Sequence, residues 1–293
     1  MEPISAVYRD RIMQMMGRAK LTTVITEENV YQQANKELLP FIDSILEELL
    51  LPGSGIDGVD HLRDLAQKAR EGHSCLLLVE HYSNFDLPVL SYLIRRDIPE
   101  GQALADSIVA IAGLKLNEEH PVVAAFTEAY SRIVIYPSRS LQSLDPEKDR
   151  AEIVRSNAIN RAAMKTLNEV KISGKLILVF PAGTRYRPWD PTSKRGVREI
   201  DSYIKSFDYF CPIAINGNIL VIQPGAMAED RVTKDVVRIT VGPVTNCTEF
   251  RQQARAAAEA AGVEDLKQAT VDAIMNVLEQ MHQDAEQRRI TSN

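Results

Sequence analysis

The chain has 293 residues, 45% hydrophobic and 25% charged, enough apolar material for the core of one large soluble domain or a domain with an appendage. A formal net charge of −6 argues against a nucleic-acid binder. Cys75, Cys211 and Cys247 form neither an even framework nor a C-x-x-C pair, and Cys75 and Cys211 lie in apolar runs, which suits core thiols in a reducing compartment.

The first ten residues lack a basic region followed by an apolar one, so no secretory signal is expected. Residues 1–52 read as helices. From Val30 to Leu51, Leu38, Leu39, Ile42, Ile45, Leu46, Leu49 and Leu50 recur at helical spacing, and Pro52-Gly53 ends the pattern. Its polar face carries Asp43, Glu47 and Glu48 rather than Lys and Arg, which favours a helix packed on the main domain over one lying on a membrane. The stretch is too short and too charged to span a bilayer, and nothing else in the chain is apolar enough. A small N-terminal helical subdomain is therefore expected over residues 1–58. Gly53-Ser54-Gly55-Ile56-Asp57-Gly58 matches G-x-G-x-x-G literally, but it follows a helix and a proline rather than a strand. It is expected to be a flexible turn before a helix at Val59 to Ala69.

From Ser74 onward, strands alternate with helices. Strands are expected at Ser74–Val79, Ile108–Ala112, Arg132–Tyr136, Lys175–Phe180, Tyr209–Ile215 and Val236–Val241, with helices at Leu87–Arg95, His120–Tyr130 and Glu147–Val170. This order predicts an α/β fold over residues 59–247, a largely parallel mixed sheet flanked by helices. Thr248 to Ile290 reads as helical, so residues 248–293 are expected as C-terminal helices packed on the main domain. Ligands of such sheets bind beyond the carboxyl ends of the strands. His81, Arg139, Arg185 and Arg187 all follow a predicted strand directly, which puts them on one rim.

The most informative stretch is Glu80-His81-Tyr82-Ser83-Asn84-Phe85-Asp86-Leu87-Pro88. A helix should start here, capped by Ser83 or Asn84, with Asp86 in its first turn. The chain then folds back so that Asp86 reaches one ring nitrogen of His81, which fixes the tautomer and leaves the other nitrogen as a base. Backbone N–H groups at this helix start are candidate oxyanion donors. A His and an Asp at this spacing also arise by chance, so the pair alone does not define a site. The second stretch is Val179-Phe180-Pro181-Ala182-Gly183-Thr184-Arg185-Tyr186-Arg187-Pro188-Trp189. Gly183 permits a tight turn and close approach to a ligand. Arg185 and Arg187 present two planar forks suited to a phosphate, or else pair with neighbouring carboxylates. In the loop Tyr136-Pro137-Ser138-Arg139-Ser140, Arg139 adds a further cation. His81 and Asp86 are only two ligands, and no other His or Cys falls at ligand spacing, so no metal site is expected. His61, His73, His120 and His282 read as structural. Trp189 either walls the site or covers the core.

Taken together, His81-x-x-x-x-Asp86 and Phe180-Pro-x-Gly-Thr-Arg185 resemble the H-x-x-x-x-D and F-P-E-G-T-R motifs of the glycerolipid acyltransferases. Arg132-Ile-Val-Ile-Tyr136 resembles their intermediate block and Cys211-Pro212-Ile213-Ala214 their final one, so the resemblance covers residues 59 to 245. Ala182 stands where lysophosphatidate acyltransferases usually have Glu, and Arg185-Tyr186-Arg187-Pro188 resembles the R-D-R-P run of the soluble, plastid-type glycerol-3-phosphate acyltransferases. The resemblance implies transfer of a fatty acyl group from acyl-CoA or acyl carrier protein to glycerol 3-phosphate, the first step of phospholipid synthesis, with no cofactor beyond the co-substrate. It implies His81 as base and Asp86 as its orienter, with the acceptor phosphate held by Arg139, Ser140, Arg185 and Arg187 and the loop supported by Gly183 and Thr184. That branch carries a basic pair where this chain offers Arg139 and Ser140. A cytoplasmic protein in transient, peripheral contact with the inner face of the membrane is implied as well. A lysophosphatidate acyltransferase remains the alternative enzyme, and a non-catalytic phospholipid- or phosphate-binding protein the alternative class.

Overall fold

In the computed structural model the strands, in chain order, are β1 (Glu2–Pro3), β2 (Tyr31–Gln32), β3 (Gly55–Asp57), β4 (Cys75–Val79), β5 (Ile108–Gly113), β6 (Arg132–Ile135), β7 (Leu176–Val179), β8 (Tyr209–Asn216), β9 (Leu220–Val221), β10 (Arg231–Val232), β11 (Arg238–Val241) and β12 (Thr245–Asn246). The structure describes residues 1–293 except Thr23, Glu119, Gln142, Ser143, Ser292 and Asn293, and the side chains of Arg139, Ala228, Ile290 and Thr291 are likewise outside the description.

The main sheet runs β2-β6-β5-β7-β4-β8-β11-β3, with β12 pairing onto β8. Its middle, β6-β5-β7-β4-β8, is parallel throughout. Parallel neighbours need crossovers, and helices supply them. Asp86–Asp97 and Gly101–Ser107 connect β4 to β5, and Arg150–Val170 connects β6 to β7. β11 joins β8 antiparallel, and β2 joins β6 antiparallel, so the sheet is mixed, as the alternating pattern predicts. β1, β10 and β9 form a separate antiparallel ribbon.

All five residues of β4 are buried, because this strand is covered on both faces. The two-residue period divides them. Cys75, Leu77 and Val79 pack with the helices Leu39–Leu49, Val59–Arg70 and Asp86–Asp97. Leu76 and Leu78 face the helices Arg150–Val170, Ile200–Ser206 and Leu266–Thr291. The three cysteines are buried and free, and burial pushes Cys75 up to about 12 and the other two higher still, so all three stay protonated thiols.

Two local expectations are corrected. The helix predicted over Val30 to Leu51 begins only at Leu39; Tyr31–Gln32 pairs with β6 instead. Asn35 ends the extended segment by accepting the Glu37 amide, and Pro40 sits at the helix start, so local capping wins over the longer apolar pattern. The G-x-G-x-x-G segment is not a simple flexible turn, because Gly55–Asp57 is an edge strand parallel to β11. Gly58 has φ +73°, and a Cβ there would lie 2.1 Å from the Val241 carbonyl oxygen. Close backbone packing onto β11 explains that glycine. Among the described residues no helix is long and apolar enough to cross a membrane.

Candidate active site

β4 ends at Val79, and the chain turns through Ser83-Asn84-Phe85 into the helix Asp86–Asp97. The N-cap is Phe85, without a side-chain cap, so neither Ser83 nor Asn84 plays the expected part. Asp86, at the first helical position, carries the turn instead. Its Oδ2 accepts the Tyr82 amide at 2.6 Å, the Ser83 amide at 2.9 Å and His81 Nδ1 at 2.8 Å. Its Oδ1 accepts the Ser83 hydroxyl at 3.1 Å. The Ser83 hydroxyl oxygen in turn accepts the Phe85 amide at 3.1 Å. A carboxylate at a helix start suits the dipole, and here it gathers N–H groups of the turn that precedes the helix.

This arrangement settles the His81 tautomer chemically. Asp86 accepts, so Nδ1 carries the hydrogen and Nε2 is left with its lone pair. The imidazole ring stacks on Phe180, with centroids 3.9 Å apart and planes 14° apart. The Tyr186 amide donates to the His81 carbonyl at 2.7 Å. His81 is thus held by its ring nitrogen, its ring face and its backbone. The Tyr82, Ser83 and Phe85 amides are taken up inside the turn and are not open to an oxyanion.

Phe180 and Tyr186 belong to the loop after β7, and β7 is the neighbour of β4. That adjacency brings the two sequence motifs together. Gly183 has φ +65° and its amide donates to the Phe180 carbonyl at 2.9 Å, closing a tight turn. Thr184 Oγ1 accepts from the Arg187 guanidinium at 3.2 Å, and Asp190 lies 3.8 Å from the same group. Arg185 ion-pairs with Asp230, whose side chain is fully buried. Burial pushes Asp230 above the usual carboxylate range, with Arg185 opposing. Both arginines therefore have carboxylate neighbours, the alternative that the sequence left open.

The backbone of Arg139 lies in the short helix Ser138–Leu141, after β6; its side chain is outside the described residues. The Ser140 amide donates to the Pro137 carbonyl at 3.0 Å. β6 lies two strands from β7, roughly 10 Å across the sheet. Trp189 is 49% exposed and covers no core.

Of the remaining histidines, His61 bonds the Val241 carbonyl, His73 packs edge-on against Tyr209, and His120 caps the helix Pro121–Glu128. His282 differs. Its Nδ1 lies 2.9 Å from Glu80, next to His81, and 3.2 Å from the Tyr82 hydroxyl. The sequence reads His282 as structural and gives Glu80 no role, because the two are separated by 202 positions and share no motif. The sole local signal was an acidic residue at the end of an otherwise apolar strand.

A buried carboxylate and the imidazole it holds stand at the carboxyl edge of the parallel sheet, beside an arginine-bearing turn. The profile of the Acyltransferase family matches residues 61–263, and the chain belongs to that family. It is 24% identical over 164 residues to the chloroplastic glycerol-3-phosphate acyltransferase of Arabidopsis thaliana, an alignment that covers 55% of this chain and 34% of the relative. It is 23% identical over 168 residues to the chloroplastic glycerol-3-phosphate acyltransferase ATS11 of Cucurbita moschata, covering 52% of this chain and 35% of the relative. The chain thus aligns with about a third of the length of these curated relatives.

Proposed function

We propose that this protein transfers a fatty acyl group from a thioester, acyl-CoA or acyl carrier protein, to a hydroxyl of glycerol 3-phosphate. The observation that carries the reading is the 2.8 Å contact from His81 Nδ1 to Asp86, which leaves Nε2 as a base. Family membership and the activity for which the two plant relatives are named support it.

In this mechanism Nε2 of His81 takes the acceptor hydroxyl proton as the oxygen attacks the thioester carbonyl. The tetrahedral intermediate collapses, the C–S bond breaks, and the departing thiolate takes the proton back from His81. Ester and free thiol are the products. Asp86 stabilises the transient imidazolium, as the Asp does in a serine-type triad, but the acceptor hydroxyl replaces the serine and no acyl-enzyme forms. General-base help contributes on the order of 10²–10⁴ in rate. Arg185 and Arg187, with Arg139 and Ser140 from the loop two strands away, hold the acceptor phosphate, and Gly183 and Thr184 shape the turn. Nothing in this scheme calls for a metal or a resident cofactor. The protein works in the cytoplasm and meets the inner face of the membrane peripherally to deliver its product.

The test is thiol release from palmitoyl-CoA, and separately from palmitoyl-carrier protein, with glycerol 3-phosphate or lysophosphatidate as acceptor. Turnover with glycerol 3-phosphate, abolished by His81→Ala, is expected. Turnover with lysophosphatidate alone would replace the acceptor. Silence of a folded protein with every pair would leave a phosphate-binding role.

A further inference from the structure

Glu80 sits between the end of β4 and His81, and only 6% of it is exposed. Three donors from three parts of the chain converge on its carboxylate. The Tyr82 hydroxyl donates to Oε1 at 3.0 Å, His282 Nδ1 to Oε2 at 2.9 Å, and the Ile215 amide of β8 to Oε2 at 2.9 Å. The Glu80 amide donates to the Ile213 carbonyl at 3.1 Å. Burial and the Glu80 charge push the Tyr82 phenol far up, so it stays a donor. The Tyr82 amide, meanwhile, donates to Asp86. His81 therefore lies between the buried Glu80 carboxylate and a tyrosine bonded to both Glu80 and Asp86.

His282 comes from the helix Leu266–Thr291, beyond the segment that the family profile matches. That helix is itself anchored against the sheet. Asn216 of β8 donates to the His282 carbonyl at 3.0 Å and to Glu286 at 2.9 Å, and Arg289 reaches Asp235 at 3.4 Å.

We propose that Glu80, Tyr82 and His282 form a positioning clamp, through which the C-terminal helix holds the turn bearing His81 in its working orientation. The bond from His282 to Glu80 joins that helix to the residue before His81, and the Tyr82 hydroxyl joins the residue after it to the same carboxylate. The clamp is a property of the fold, and its effect on catalysis rests on the acyl-transfer reading above.

The charges around the clamp give it a pH dependence. Glu279 and Glu286 flank His282 on its own helix; Glu279 pairs with Lys194 and Glu286 with Arg289. Asp86 lies across the turn, bonded to His81, and Tyr186 packs edge-on against Tyr82. Burial and Lys194 oppose charge on His282, but the bond to Glu80, its charge and that of Glu279 outweigh them and hold the imidazole above its ordinary 6.5. Protons therefore stay on His282 in the folded state longer than in the unfolded one. The charged clamp is complete below pH 6.5 and weakens as pH rises through the raised value. Alkali therefore loosens the support of His81.

The test is an imidazole NMR titration of wild type, Glu80→Gln and His282→Gln, beside kinetics of thiol release. In wild type, His282 should titrate above 6.5; in Glu80→Gln its midpoint should fall. In both variants the His81 ring signals should move, while circular dichroism stays native. With turnover, kcat should fall about 10- to 100-fold with little change in acceptor KM, and His282→Gln should lose the alkaline limb of the pH profile. His81 signals unmoved in both folded variants would overturn the clamp. Should Glu80→Gln not fold, His282→Gln and Tyr82→Phe give the same readout. A wild type without turnover counts against the acyl-transfer reading alone, since the titration still decides the clamp.

Discussion

The Arg185 guanidinium, in the turn after β7, is ion-paired to the Asp230 carboxylate, which lies 45 positions later and is fully buried. Asp230 also accepts the Gln223 amide at 3.0 Å, and its own carbonyl accepts the Ile4 amide at 3.0 Å. One acidic residue therefore ties the arginine-bearing turn to the ribbon formed by β1, β9 and β10.

Asp230→Asn should leave Arg185 in search of a counter-charge. Breaking such a pair costs on the order of 3 kcal/mol, read by urea unfolding. Glycerol 3-phosphate should restore part of that loss and raise the melting temperature of the variant more than that of wild type. Equal loss without rescue would place the Arg185 guanidinium away from the acceptor.

His81→Ala and Asp86→Ala should part company in stability. His81→Ala removes the base, lowering acyl transfer on the order of 10²–10⁴-fold with a small change in unfolding midpoint. Asp86→Ala removes the acceptor for two amides, a hydroxyl and the imidazole. Those donors are left without a partner in a buried turn, at a cost on the order of 3 kcal/mol as well as activity. Equal unfolding midpoints for the two variants would contradict the turn-holding role of Asp86.

Gly183→Ala should strain the arginine-bearing turn. The residue has φ +65°, and a Cβ would meet Val197 Cγ1 at 3.2 Å. The left-handed conformation costs about 1–2 kcal/mol for a residue with a side chain. The same substitution should raise the acceptor KM, because Thr184 and Arg187 follow directly. Urea unfolding and an acceptor titration check both effects.

Asp201 should control acid stability. Its side chain is 1% exposed and accepts from Arg251 and Arg255, tying the helix Ile200–Ser206 to the helix Cys247–Ala260. Burial opposes its charge, but the two arginines outweigh burial and hold it below its ordinary 3.8. Its contribution is present above that value and lost as pH falls through the lower folded one. Asp201→Asn should cost on the order of 3–5 kcal/mol at pH 7, and the gap to wild type should narrow in acid. A gap independent of pH would refute this role.

The core strands and the longer crossover helices could be read from the chain because their signals are local, whereas the seven-residue helices Gly101–Ser107 and Ile200–Ser206 gave no such signal. A run such as Cys75–Val79 is apolar throughout, and strand–helix alternation allows few parallel arrangements. The contact between His81 and Asp86 was legible for the same reason, since both lie within one turn. What failed locally was the segment before Leu39 and the glycine-rich stretch at 53–58, where two- and three-residue edge strands form only because β6 and β11 are there to pair with.

The sequence alone carried the strand-to-helix turn at His81–Asp86 and the glycine turn at 183, because each depends on residues a few positions apart. Tertiary structure alone decided that β7 lies beside β4, so that Phe180 stacks on His81. It also decided that Asp230 claims Arg185, and that His282 reaches Glu80 from the far end of the chain. Those relationships join residues tens to hundreds of positions apart. They arise because buried charges and polar groups must find partners wherever the packed sheet brings them, and no local pattern records where that is.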